Sequence, residues 1–200
     1  MRKIGITGGV GSGKSKVLEY LENIPGVAVY QADLIARELQ MPGQICYEAI
    51  VEHFGNEILA EDQTINRKRL GELVFQNNAE LQILNSLVHP AVNKKIEDLI
   101  QEEFLNGTEV FVLEAALLTE EFYRKILDEI WYIYVEESVR RARLKASRNY
   151  TDEKITSMIK SQPSEEMFRA CCDRTLDNTG DFEKTIEQID DLLEQSRKQE

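Results

Sequence analysis

Residues 8–15 leave this chain few folds to choose from. Gly8-Gly9-Val10-Gly11-Ser12-Gly13-Lys14-Ser15 matches the phosphate-binding pattern G-x-x-x-x-G-K-[ST] without a mismatch. The apolar run Ile4-Gly5-Ile6-Thr7 precedes it, and Val17-Leu18-Glu19-Tyr20-Leu21 follows with apolar residues at helical spacing. Strand, glycine loop and helix in that order form the setting such a loop needs. The glycines let backbone N–H groups approach phosphate oxygens, and the helix aims its positive end at the same place. The expectation is a nucleoside triphosphate site in which Lys14 reaches the β- and γ-phosphates and the Ser15 hydroxyl ligates Mg²⁺. A glycine-rich turn that binds nothing is the competing reading. Four glycines, the Lys-Ser pair and the correct flanks together speak against it.

Two hundred residues, 42% of them hydrophobic, can bury one core, as a single domain or as one that carries an insertion. No apolar run approaches the roughly 18–20 residues of a membrane span, and the first strand starts too early for a signal peptide. A cytoplasmic protein is expected, either a monomer or a weak homo-oligomer. The net charge of −12 argues against a nucleic-acid partner, whose phosphates need a basic surface. It does not argue against ATP, which needs only a local positive pocket. Cys46, Cys171 and Cys172 are odd in number and lack zinc-ligand spacing with His53 or His89, so they read as reduced thiols.

Past Pro25-Gly26, Val27-Ala28-Val29-Tyr30 reads as a short buried strand, followed by Asp33 and the helical stretch Leu34–Leu39. Asp33 has two readings of equal weight. It is either a ligand-facing carboxylate at the carboxyl end of a strand or the N-cap of that helix. From Pro42-Gly43 to about Asn106 the pattern is helical: 44–54, 67–75 capped by Asn66, 81–88, and 92–104, with His89-Pro90 breaking the last two apart. That is too much helix for a simple crossover, so an inserted helical subdomain is expected.

Val110–Leu113, Ile130–Val135 and Arg174–Leu176 supply the remaining strands, the first of these ending in Glu114. A helix opening at Ser138 holds Arg140, Arg141, Arg143, Lys145 and Arg148. Such a run is ordinarily a solvated face, but a phosphate loop in the same chain favours cations that serve phosphoryl transfer. Thr151 and Ser164 open further helices, 182–193 is amphipathic, and the polar tail from Glu194 is expected to fray. The fold class is α/β, a doubly wound five-stranded parallel sheet of the P-loop NTPase kind.

Several segments, in order, resemble dephospho-coenzyme A kinase. They are Gly8–Ser15, Ala32-Asp33-x-Ile35-Ala36-Arg37, Pro42-Gly43, Phe54-Gly55, Val74-Phe75, His89-Pro90-x-Val92, Leu117-Leu118 and Asp177-Asn178. The resemblance spans the whole chain, and the Ala-Asp-x-Ile-Ala-Arg segment with the later His-Pro-x-Val is far more selective than the loop. It implies a kinase of the nucleoside-monophosphate-kinase type that transfers the γ-phosphoryl of ATP to the ribose 3′-hydroxyl of dephospho-CoA. The implied organisation is a core at 1–40, 108–138 and 172–200, a substrate-binding helical insertion at about 41–107, and a lid at about 139–171.

By the same resemblance Gly11, Ser12, Gly13, Lys14, Ser15 and Lys16 hold ATP with Mg²⁺, and Asp33 faces the acceptor hydroxyl. Arg37, His89 and Leu117 belong to the substrate side, and Arg143 and Arg148 act from the lid. The chain departs from the family pattern at several points. Gln31 stands where the family has the first Asp of Asp-Ala-Asp. Ala116-Leu117-Leu118-Thr119-Glu120 replaces Pro-Leu-Leu-Phe-Glu, and Lys16 replaces a Thr. Ser147 takes the place of the second lid arginine, leaving Arg148 one position on, a rotation of roughly 100° on a helix. A related kinase with another acceptor, and an idle nucleotide-binding homologue, stay open at this point.

Overall fold

The computed structural model describes residues 1–118 and 121–197. The chain begins with β1 (Arg2–Thr7), α1 (Lys14–Glu22), β2 (Val27–Gln31) and α2 (Ala32–Leu39). Three helices follow, α3 (Ile45–Phe54), α4 (Arg67–Gln76) and α5 (Asn78–Leu105). Then come β3 (Val110–Glu114), α6 (Glu121–Ile126), β4 (Glu129–Tyr134) and α7 (Glu137–Arg148). The chain closes with α8 (Asp152–Lys160), α9 (Glu165–Cys171), β5 (Arg174–Asp177) and α10 (Phe182–Arg197). Contacts divide it into two compact units, Met1–Val29 with Gly107–Glu200, and Tyr30–Asn106.

The expected α/β sheet forms, with strand order β2-β3-β1-β4-β5. β1 runs parallel to both of its neighbours, and β5 runs parallel to β4. The central strands are continuous apolar runs because both of their faces are covered. Ile4, Ile6, Phe111, Val112, Leu113, Trp131 and Ile133 have no exposed surface. The winding reverses at β1, which places the glycine loop at the point where open α/β sheets bind ligands. Register brings the strand ends level there, with Ile6 opposite Glu114 and Thr7 opposite Tyr132. α1 buries Val17, Leu18 and Leu21 against Ile4, Ile6, Val112, Trp131 and Ile133, which fixes the helix directly behind the loop. β2 differs from expectation: it is an edge strand, half-buried along its whole length, because only one of its sides has a neighbour.

The Tyr30–Asn106 unit is helical. Asn66 caps α4 as expected, its side chain accepting the Arg69 N–H at 3.2 Å. Asp33 does not cap α2: the N-cap is Gln31, without a side-chain bond, and Asp33 lies exposed in the first turn. The expected break at His89-Pro90 is absent, and α5 runs unbroken through Pro90. Val88, Val92, Ile96 and Leu99 form one buried stripe that continues in helical register across the proline. An interior proline costs about 3 kcal/mol. Each buried Val, Ile or Leu returns roughly 1.5–3 kcal/mol, so the stripe outweighs the break.

In the other unit, α10 continues helical to Arg197 where fraying was expected from Glu194. Thr151 and Ser164 cap α8 and α9 through their side chains, as their sequences promised. The three cysteines are free thiols. No described helix is long and apolar enough to cross a membrane.

Candidate active site

The loop at the carboxyl end of β1 is built around absent side chains. Gly13, the N-cap of α1, has φ +82° and no capping side chain. A Cβ there would stand 2.5 Å from Asn178 Nδ2, so only glycine fits. The first turn of α1 contains no acid and two lysines, Lys14 and Lys16. Cations at the positive end of a helix are unfavourable unless an anion joins them. Among the described residues, the N–H groups of Gly11, Gly13 and Ser15 take no protein acceptor. Ser12 Oγ is buried without a partner, a state that costs roughly 1–3 kcal/mol for such a group. This is a cradle of donors.

Lys14 donates to the Gly8 carbonyl at 2.6 Å, and its ammonium lies 3.7 Å from Glu114 Oε1. Glu114, the last residue of β3, is 8% exposed. Sequence reasoning had not assigned it a role. The available signal was a carboxylate ending a run otherwise buried on both faces. Ser15 is exposed in the first turn of α1. The Lys16 ammonium sits 4.1 Å over the Phe182 ring, so its side chain is committed to α10.

Asn178 locks the far side of the loop. It is 3% exposed, donates from Nδ2 to the Ser12 carbonyl at 2.8 Å, and accepts from Thr185 Oγ1 at 3.0 Å. Arg143 approaches the same place, donating to the carbonyl of Asn178 at 2.9 Å. Arg148, expected to serve the phosphates, is exposed in the last turn of α7 with no hydrogen bond or ion pair among the described residues. Arg140 reaches the loop instead, its Nε donating to the Val10 carbonyl at 3.0 Å. Beyond β3, the Thr7 hydroxyl holds the Ala116 carbonyl at 3.0 Å, leaving Leu117 42% exposed and Leu118 buried. Thr119 and Glu120 lie outside the described residues.

Within the helical unit, Asp33 and Arg37 are exposed one turn apart on α2, and both act electrostatically on Arg67. Burial lowers the pKa of Arg67, its neighbour Arg37 lowers it further, and Asp33 opposes both. An arginine beside a second arginine is a ready receptor for an anion. Arg67 was read from sequence only as the first residue of a helix. His89 is exposed on α5, directly before Pro90.

The family model described as dephospho-CoA kinase matches residues 2–184. A dephospho-CoA kinase of Carboxydothermus hydrogenoformans is 40% identical over 192 residues, covering 96% of this chain and 92% of that protein. One from Halalkalibacterium halodurans is 35% identical over 190 residues, covering 95% and 94%. Among solved structures, dephospho-CoA kinase from Campylobacter jejuni matches with a TM-score of 0.69 at 24% identity. It covers 96% of this chain and 98% of that one, and speaks for the fold alone.

Proposed function

The chain belongs to the dephospho-CoA kinase family, and on that premise we propose that it transfers the γ-phosphoryl of ATP to the ribose 3′-hydroxyl of dephospho-CoA, giving coenzyme A and ADP. The observation that carries the reading is the loop itself, with the open N–H groups of Gly11, Gly13 and Ser15 beside the Lys14 ammonium. These donors hold the triphosphate, and Lys14 leaves the Gly8 carbonyl to bridge its β- and γ-phosphates.

A sugar hydroxyl is barely acidic, so phosphoryl transfer gains from a carboxylate that orients it and accepts its proton. Asp33 is the proposed base. It is not engaged as a cap, and an ionised carboxylate is purely an acceptor. Arg37 and Arg67 are suited to a phosphate of the acceptor, with His89 and Leu117 completing the substrate side. Arg140, on the Val10 carbonyl of the loop, and Arg143, on the carbonyl of Asn178 that clamps the loop, are the lid cations proposed to meet charge on the transferring group.

The donor chemistry around the loop fits Mg²⁺. Ser15 and Glu114 offer hard oxygen ligands, and among the described residues no cluster of three His, Cys, Asp or Glu forms a protein cage. One or two side chains together with phosphates and water are what Mg²⁺ ordinarily accepts. Bound there through Ser15 and Glu114, it would neutralise charge on the β- and γ-phosphates. Gln31, in place of an aspartate, contributes no charge to it.

The acceptor is tested by offering the purified protein ATP and Mg²⁺ with dephospho-CoA, adenosine, AMP or shikimate, and following ADP. Turnover with dephospho-CoA at least about 100-fold above the others is expected, since a site built for a polar acceptor rejects analogues that leave its groups unpaired. Equal or faster turnover with another acceptor would overturn the assignment.

A further inference from the structure

Among the contacts between lid and loop, the one at Val10 is made by hydrogen bonds, and Gln162 holds it from the lid side. Gln162 is half-buried in the turn between α8 and α9. Its Oε1 accepts the Val10 N–H at 2.9 Å and the Arg140 guanidinium at 3.2 Å, while Arg140 Nε donates to the Val10 carbonyl at 3.0 Å. Three hydrogen bonds thus close a ring through one loop residue, one amide and one guanidinium. Both groups facing the amide are donors, so only its oxygen can be turned toward them. Gly9 admits the arginine: a Cβ there would lie 2.5 Å from Arg140 Nη2.

The other cations of α7 are placed differently. Arg141 pairs with Glu137 and Thr156, Arg143 with the carbonyls of Asn178 and Thr179, and Lys145 with Asp152. Arg140 alone among the cations of α7 lies on the first half of the loop, and Gln162 is the side chain that ties it there.

We propose that Gln162 is a positioning residue for phosphoryl transfer, registering the lid on Val10 and holding the Arg140 guanidinium in place over the loop. The inference rests on the kinase reading. A fixed cation stabilises developing charge only where it is already aimed. An arginine on an exposed helix, free to sample its rotamers, loses that advantage. The same ring seats the lid turn on the loop, which disfavours water as the competing acceptor.

The test is a double-mutant cycle. Wild type, Gln162→Leu, Arg140→Ala and the double variant are compared for kcat, KM for ATP, phosphate released per coenzyme A formed, and thermal midpoint. Gln162→Leu is expected to lower kcat about 10- to 100-fold, the scale of a ~1 Å misplacement. It should also raise the share of ATP lost to water while leaving the melting point within a few degrees of wild type. The double variant should be no worse than Arg140→Ala within about threefold, because Gln162 acts through that side chain. Multiplying effects, or wild-type kcat and coupling in Gln162→Leu, overturn the proposal. Should the Leu variant fail to fold, Gln162→Ser carries the same cycle. A wild-type protein inert toward dephospho-CoA but binding ATP by calorimetry overturns the kinase reading instead. The two failures therefore stay separate.

Discussion

Asn178 shows how much a single buried amide can settle. Its donor end satisfies a loop carbonyl, its acceptor end satisfies Thr185, and its own carbonyl receives Arg143. In Asn178→Asp the bond from Thr185 survives, but an oxygen then faces the Ser12 carbonyl. We expect a loss of about 1–3 kcal/mol in urea unfolding, the cost of an unsatisfied buried acceptor, together with a raised KM for ATP. Unchanged ATP affinity would separate this clamp from the nucleotide site. Glu114→Gln keeps the shape of the strand end but removes a charge. The Mg²⁺ concentration for half-maximal activity should rise about tenfold, and an unchanged requirement would exclude Glu114 as a ligand. At this scale the sequence was legible where a motif fixes position: Lys14 and Ser15 stand in the first turn of α1, directly behind the glycine loop. It was not legible for Arg67 and Gln162, nor for which cation of α7 reaches Val10. Their partners are distant in the chain, and no local pattern distinguishes a lid glutamine that meets Val10 from one on a solvated turn.

Elements were read well where periodicity and caps agree. Asn66, Thr151 and Ser164 each announce a helix start, and each caps through its side chain. The reading failed where tertiary packing overrules a local rule. Pro90 is a local stop signal set within a stripe, Val88 to Leu99, that is buried on both sides of it. Replacing it with alanine returns a backbone donor and removes the ring clash. Pro90→Ala is therefore expected to stabilise the protein by about 2 kcal/mol in urea, less than the full penalty because proline also restricts the unfolded chain. A destabilised variant would mean that the proline shapes the helix around His89. β2 was taken as buried because its residues are apolar, but apolar composition does not tell an edge strand from a central one. Only the strand order does so.

For the molecule as a whole, the sequence conveyed the α/β class and the helical insertion, because strand runs and one loop motif constrain topology strongly. It did not convey which helices group together: α2 follows a core strand in sequence yet belongs with the helical unit. Two half-buried acids give the whole fold an alkaline limit. Burial, with help from Asp190, pushes the Tyr20 hydroxyl from 10.0 up to about 12, and burial beside Cys171 pushes the Cys172 thiol from 9.0 up to about 12. Above about pH 9 the unfolded chain releases these protons first, so stability is full below that value and falls as pH rises toward 12. Urea midpoints should be flat from neutrality to about pH 9 and then decline, more gently in Tyr20→Phe.

The central claim is that ATP held by the glycine loop gives its γ-phosphoryl to dephospho-CoA, with Asp33 taking the proton. Steady-state formation of coenzyme A by wild type and by Asp33→Asn, side by side, tests it most directly. The account predicts wild-type turnover of about 1–100 s⁻¹ and a kcat at least about 100-fold lower in the variant, with ATP binding intact. Near-normal turnover in Asp33→Asn, or ATP binding without coenzyme A from the wild type, would contradict it.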